Sequence, residues 1–278
     1  MIAALGSRRG YRLARPAWAI PVVLFLLVFF VAPLAENLVR TGEGASAYGK
    51  LLFDSYYSGV LLTTLTVAVT VTLICLLVGY PVAYFMARFA GRWTGVMVFV
   101  LVAPLLTSII MRTFGWRVLL ARRGVVNAVL TQLGLVTRPS NLADETVAVF
   151  LGLVHVLVPF MVLSILAVLQ GVDARLEEAA RVLGAGRVRT FLSVTLPLSL
   201  DGIITGSILV FVIVNGSFLT MLLLGGGKIT TLSLLIYQQF TTSGDMGFAA
   251  AMGNVLMMVA LLGFALQIAV LRRGRMQA

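Results

Sequence analysis

The chain has 278 residues, 60% of them hydrophobic and only 11% charged, with a mean hydropathy of +1.05. A soluble domain carries roughly 45–50% apolar residues, so the composition excludes an ordinary water-soluble fold. The net charge of +11 comes with a single cysteine and a single histidine, which excludes a disulfide framework and a Cys/His metal centre.

The apolar residues gather into runs long enough to cross a bilayer, which takes about 20 residues as a helix. In hydrocarbon every backbone N–H and C=O must be paired within its own segment or in a closed barrel. Barrel strands alternate in polarity, whereas "VVLFLLVFFVAPL" is apolar on every face. The sequence therefore predicts an all-α integral membrane protein in one transmembrane domain, 1–278, with six spans at 16–39, 60–87, 94–119, 146–169, 203–224 and 248–271. The first run is longer than a signal-peptide core and no A-x-A-like site follows it, so it reads as a retained anchor.

The connectors differ in kind. Residues 40–59 read as an outer loop with turns at Gly42, Gly44 and Gly49, and 87–93 as a tight basic inner turn. Residues 120–145 read as an outer amphipathic or re-entrant segment, and 225–247 as an outer loop whose "TLSLLIYQQF" forms a short interfacial helix. Cys75 falls within the second run and reads as a packing residue.

Charge placement sets the orientation. Arg8, Arg9, Arg12 and Arg15 precede the first span, Arg88 and Arg92 follow the second, and Arg272, Arg273 and Arg275 follow the sixth. Basic residues flanking spans mark the cytoplasmic side, so both termini are expected there. The basicity is a topology signal, without the aromatic-basic interleaving of a nucleic-acid surface; no nucleic-acid partner is expected.

The polar insert at 170–202 is the exception in an apolar chain. Asp173 can cap a helix over 174–183, and Gly184 can end it at C′. Such a helix is about 16 Å long at 1.5 Å per residue, too short to span. Leu176, Ala179, Ala180 and Leu183 share one face, expected to lie inward, while Glu177, Glu178 and Arg181 face outward. "RVRTFLSVTLP" reads as a second short helix, with Pro197 in the first turn of the fifth span.

Glu178-Ala179-Ala180, three residues, Gly184, nine residues, then Val194, Thr195, Leu196 and Pro197 resembles the EAA signature of permease subunits of ABC importers, with Val in place of Ile. That resemblance implies a type I importer permease fold in a bacterial inner membrane. It also implies that the insert is a cytoplasmic coupling helix between spans four and five, gripped by an ATP-binding subunit through Leu176, Glu177, Glu178, Ala179, Ala180, Arg181, Gly184 and Pro197. The implied partners are a second, similar permease, two copies of the ATP-binding subunit and an outside solute-binding protein. ATP and magnesium would sit on the partner, with no cofactor on this chain. "MRTFGWRVLLARRGVVNAVL" further resembles the spermidine/putrescine-type branch through Arg112, Thr113, Phe114, Trp116, Leu119, Leu120, Gly124 and Asn127, as does the outer loop with Gly225, Gly226 and Gln239.

The polyamine members of that branch often carry an acidic residue before the aromatic of the fifth span, where this chain has Ser217 before Phe218. Asn215, Ser217 and Phe218 are candidate path residues, with Thr63 and His155 as further candidates that helix packing could equally explain. "GGGKIT" is not a P-loop, because Leu222 and Ile229 stand where Gly and Ser/Thr are required. The chain is thus read as a transport subunit rather than an enzyme. A secondary transporter without an ATPase, or an importer of another small organic solute, are the alternatives.

Overall fold

The computed structural model describes residues 11–40, 45–136 and 140–275. Arg8, Arg9, Gly42 and Gly44 lie outside them, as do the side chains of Arg12, Arg15, Arg272, Arg273 and Arg275. Regular structure among the described residues is helical. In chain order the helices are α1 (Tyr11–Arg40), α2 (Ala45–Phe53), α3 (Ser55–Arg88), α4 (Thr94–Val102), α5 (Ile109–Leu120), α6 (Val125–Gln132), α7 (Thr146–Gly171), α8 (Arg175–Val182), α9 (Arg187–Gly216), α10 (Phe218–Leu223), α11 (Leu232–Gln238) and α12 (Met246–Arg275).

Five of these, α1, α3, α7, α9 and α12, are long and apolar enough to cross a bilayer. The expected third span is not one rod. After α4 a tight 3-10 turn, Ala103–Leu106, leads to extended backbone at Thr107 and Ser108, and the chain resumes in α5 at 94° to its earlier course. Pro104 supplies no N–H to the helix and disfavours its continuation. The freed groups find local partners: the Thr107 hydroxyl donates to the Pro104 carbonyl at 2.7 Å, and Arg112 Nη2 donates to the Thr107 carbonyl at 2.8 Å. Non-helical backbone at membrane depth requires such satisfaction. Six crossings result only when the bent pair is taken as one broken span.

The core is the packing of α3, α7 and α9, with Val71, Cys75, Met161, Ile165 and Val210 all at 0% exposure. Two glycines one helical turn apart let α9 press on α7. A Cβ on Gly202 would lie 2.9 Å from the Ile165 Cα and the Ser164 carbonyl oxygen, and one on Gly206 would lie 2.8 Å from the Met161 sulfur. Small residues at this spacing allow helix backbones to approach closely in a bilayer. By contrast, α1 packs against α12 and buries no residue of its apolar 20–39 segment, leaving a side-chain surface suited to lipid or to another helix.

Two further expectations change. The short helix expected after Gly186 and the fifth span are one continuous rod, α9, beginning at Arg187 rather than near residue 203. A π turn at Phe191–Thr195, in which the Leu196 N–H reaches back to the Phe191 carbonyl at five residues, widens the helix just before Pro197 and absorbs its ring. The rod ends at Gly216; Ser217 leaves helical geometry (φ −84, ψ 64) and α10 follows as a separate piece. The "TLSLLIYQQF" helix is not interfacial: Leu232, Ser233, Leu234 and Leu235 of α11 are buried, and the Leu232 N–H donates to the Thr64 hydroxyl at 2.8 Å.

Candidate functional site

The polar insert forms α8, eight residues long, at the end of the bundle where α3 and α7 finish. Its start is fixed by Asp173, whose side chain accepts from the Arg175 N–H at 2.9 Å. Its end is a Schellman turn: the Gly184 N–H bonds the Arg181 carbonyl at 2.9 Å and the Ala185 N–H bonds the Ala180 carbonyl at 3.0 Å. Gly184 takes φ +86, a left-handed conformation open to glycine and costly for other residues.

The orientation of α8 departs from the sequence expectation at Glu177 and along most of the apolar stripe, while Glu178 and Arg181 face outward as expected. Glu177, expected outward, is 4% exposed, whereas Leu176, Val182 and Leu183 are 49%, 87% and 88% exposed and Ala179 is exposed as well. At about 100° per residue, Ala179 and Val182 lie on the side opposite Glu177. The inward charge is compensated. Arg88, at the end of α3, donates from Nε to Glu177 Oε1 at 2.9 Å, and the Tyr84 hydroxyl donates to Oε2 at 3.1 Å. Arg88 Nη1 also donates to the Leu169 and Val172 carbonyls, at 3.2 and 3.1 Å, where α7 ends. Arg181 adds a longer contact of 3.9 Å to Glu177. One guanidinium thus ties three elements together, α3, α7 and α8. Glu178 and Arg181 remain exposed, Gly184 sits at the solvent end of the rod, and Pro197 lies within α9.

Read from sequence, Arg88 has only a topological role. Its contact with Glu177 spans 89 positions, and the signal available was a basic residue at the end of a span and an acidic one in a polar helix.

The path candidates divide. The Thr63 hydroxyl donates to the Gly59 carbonyl in its own helix at 2.9 Å, and that of Ser217, just past the end of α9, donates to the Ile213 carbonyl at 2.7 Å. Asn215 is 2% exposed and its Nδ2 donates to the Phe211 carbonyl at 2.8 Å. Phe218 opens instead onto a cavity of 750 Å³, shared with Asn37, Tyr237, Phe240 and Met246. There its ring stacks on Tyr237, with centroids 5.0 Å apart. His155 is separate from all of these. Its Nδ1 accepts from Trp116 Nε1 at 3.4 Å, and both rings border an apolar groove of 590 Å³ between α3, α4 and α7. The structure therefore does not gather the five candidates into one site. Thr64, passed over in favour of its neighbour, is the threonine of α3 that reaches another helix.

Comparison with known proteins bears on both regions. Residues 4–275 match the family model described as binding-protein-dependent transport system inner membrane component. The spermidine/putrescine transport system permease protein PotB of Salmonella typhimurium is 36% identical over 240 residues, 86% of this chain and 83% of that one. The protein of the same name from Haemophilus influenzae is 34% identical over 164 residues; the match covers 59% of this chain and 57%, a little over half, of that relative's length. The fold is similar to a chain in a bacterial alginate ABC transporter solved with an alginate pentasaccharide-bound periplasmic protein, with a TM-score of 0.79, 19% identity and 94% of each chain covered.

Proposed function

The chain belongs to the family of binding-protein-dependent transport system inner membrane components, and from that premise we propose that it is one half of the translocation path of an ATP-driven importer. In this reading α8 is the coupling helix. A cytoplasmic ATP-binding subunit, present in two copies, grips its exposed face, a second permease completes the path, and a solute-binding protein delivers substrate from outside. Both termini lie in the cytoplasm, and nucleotide with its magnesium stays on the ATP-binding subunits.

The observation that carries this reading is the two-sidedness of α8. Glu177 is buried and held by Arg88, while Leu176, Ala179, Val182 and Leu183 are left exposed beside Arg175, Glu178 and Arg181. A helix that turns its apolar face away from its own bundle has that face free for another protein. Because α3 and α7 share the same arginine, a displacement of α8 is delivered to both.

The substrate is proposed to be a polyamine or a related small organic solute. Support comes from the spermidine/putrescine permeases at 36% and 34% identity and from the Phe218–Tyr237 stack in the 750 Å³ cavity, since aromatic faces attract ammonium groups. The wider class of small organic solutes is kept because the described residues lining that cavity include no carboxylate.

The test is made in proteoliposomes of the full complex. Gly184→Asp strains a φ of +86, and Glu178→Lys reverses an exposed charge of the rod. Each is expected to abolish uptake of radiolabelled spermidine while membrane insertion is unchanged. In the same preparation, cysteine at Val182 is expected to cross-link to the ATP-binding subunit. Normal uptake by both variants, with ATP hydrolysis still stimulated by substrate, overturns the coupling role. A wild-type complex that hydrolyses ATP but takes up neither spermidine nor putrescine overturns the polyamine assignment alone.

A further inference from the structure

A separate cavity lies at the root of α9, away from the apolar groove and from the Phe218 cavity. It measures 670 Å³ and is bounded by the end of α3, by α8 and by the first turns of α9. Tyr84, Phe89, Phe191 and Leu192 form apolar walls, and Arg181 and Arg187 contribute two cations. Tyr84 sets its ring edge-on to both Phe89 and Phe191, with centroids 6.1 and 6.2 Å away, so the walls are an ordered aromatic cluster.

Three independent features give this space a preference for an anion. The first is unspent positive charge. Arg187 has no carboxylate partner among the described residues, and the one carboxylate near Arg181 is Glu177 at 3.9 Å, already held by Arg88 at 2.9 Å. The second is Thr195, which lines the cavity, is 1% exposed, and has a hydroxyl without a hydrogen-bond partner. The hydroxyls of Thr64, Thr72, Thr113 and Thr131 each donate to the carbonyl four residues back. At Thr195 the π turn disturbs that register, and the donor is left for something else. A buried hydroxyl without a partner costs free energy that a bound acceptor would recover. The third is the start of α9 itself: Gly186 supplies no side-chain cap, so the first N–H groups of a 30-residue helix open beside the cavity with their positive end outward.

From these features we propose that the cavity binds a phosphate group, that of an anionic phospholipid from the adjoining leaflet, with the headgroup against Arg181, Arg187 and the Thr195 hydroxyl and an acyl chain along Phe89, Phe191 and Leu192. Basic pockets between helices at the cytoplasmic surface take lipid headgroups for the same electrostatic reason. The apolar walls favour a lipid over a free phosphate, which would leave them wet. The proposal rests on the chain's spanning a membrane and on no particular substrate. A lipid here would wedge α8 against the root of α9, and so would set how firmly the rod sits.

The experiment uses the full chain with the subunits that accompany it, exchanged into nanodiscs of zwitterionic lipid doped with phosphatidylglycerol and then stripped in detergent. Retained phospholipid is counted by mass spectrometry for wild type, Arg187→Gln and Thr195→Val. Wild type is expected to keep phosphatidylglycerol in preference to phosphatidylcholine. Arg187→Gln should lower retention about fivefold, as for one lost cation near a charged surface, and Thr195→Val about tenfold, as for one lost hydrogen bond to a charged group. Neither variant should be destabilised in lipid-free detergent, since Arg187 is exposed and Thr195→Val removes a buried hydroxyl that has no partner there. A benzophenone side chain at position 192 should cross-link to lipid. Equal retention in all three proteins overturns the site, as does equal retention of the two lipids. Displacement by inorganic phosphate assigns the pocket to a soluble anion and overturns the lipid. A cross-link from 192 to a protein subunit overturns it too, in favour of a protein contact. Retention needs no transport, so spermidine uptake in parallel vesicles tests the permease reading separately.

Discussion

Replacing Glu177 by alanine removes the anion at the centre of the α8 clamp and leaves Arg88 buried without a counter-charge. The two side chains are only 6% and 9% exposed. Breaking a buried pair from one side costs about 3–5 kcal/mol. The lower end applies here, because Arg88 keeps the Leu169 and Val172 carbonyls as acceptors. A loss of about 3 kcal/mol lowers the ratio of docked to undocked α8 by roughly 150-fold. The local caps alone do not keep the rod formed: an isolated helix of eight residues has negligible stability in water. Hydrogen exchange reads this directly. The amides of 179–185, protected in the wild type by the helix and the Schellman turn, should exchange about 100-fold faster in Glu177→Ala, and uptake should fall with them. Glu177→Gln, which keeps an acceptor for Tyr84, should lie between the two. The double variant Arg88→Met with Glu177→Leu removes both charges and fills their space, and protection should largely return, since apolar replacement of a buried pair is often neutral. Wild-type exchange rates in Glu177→Ala would refute the clamp. Failure of the double variant to recover would show that apolar packing cannot replace the polar contacts at this site.

Two further perturbations test the bundle. Gly202→Val places a branched side chain 2.9 Å from α7 backbone atoms that cannot move aside; it should lower the unfolding temperature in detergent, with a cost of at least about 1–3 kcal/mol, and an unchanged transition would mean that α7 and α9 do not touch there. Thr64→Val deletes the acceptor for the buried Leu232 N–H, which should cost about 1–3 kcal/mol by chemical denaturation, whereas Thr64→Ser should stay near wild type; equal loss in both variants would point to packing rather than the hydrogen bond.

The spans are legible because hydrocarbon leaves the backbone one economical solution, and long apolar runs announce it. The break in the third is not. Proline alone does not predict it: Pro81 and Pro159 lie inside unbroken helices, α3 and α7. Pro104 differs from them in its downstream neighbours, a Thr107–Ser108 pair able to leave helical geometry and an Arg112 that satisfies the stranded Thr107 carbonyl from five residues on. Those partners matter only in three dimensions. The close approach at Gly202 and Gly206 does carry a sequence signal, small residues four apart in an apolar run, but the run also fits an ordinary span. Periodicity misplaces the face of α8 for a different reason. It assigns the apolar stripe to the core of the same chain, whereas Leu176, Val182 and Leu183 are exposed, as the proposed contact with a partner would require. The counter-ion that lets Glu177 turn inward is then supplied from a distant helix.

This failure of the periodicity rule bears on mechanism. A rod that buried its apolar stripe in its own bundle would be well anchored but would offer a partner only charges, which water screens. A rod held through Glu177 on its inner side leaves Leu176, Ala179, Val182 and Leu183, with Glu178 and Arg181 among them, open to a partner. The clamp also determines where a push is delivered. Arg88 bonds the end of α7 as well as Glu177 and belongs to α3, so in the proposed reading force on α8 enters two of the three core helices at the same point. The third, α9, is reached along the chain through Gly184 and Gly186. Away from that junction α9 stops at Gly216, and the third span, outside the core trio, turns at Thr107. In the proposed reading, motion entering at this junction would be taken up where the rods are already interrupted. The Phe218–Tyr237 cavity adjoins one of those interruptions, so closure of α10 on α11 is where a push on α8 should first change access to it.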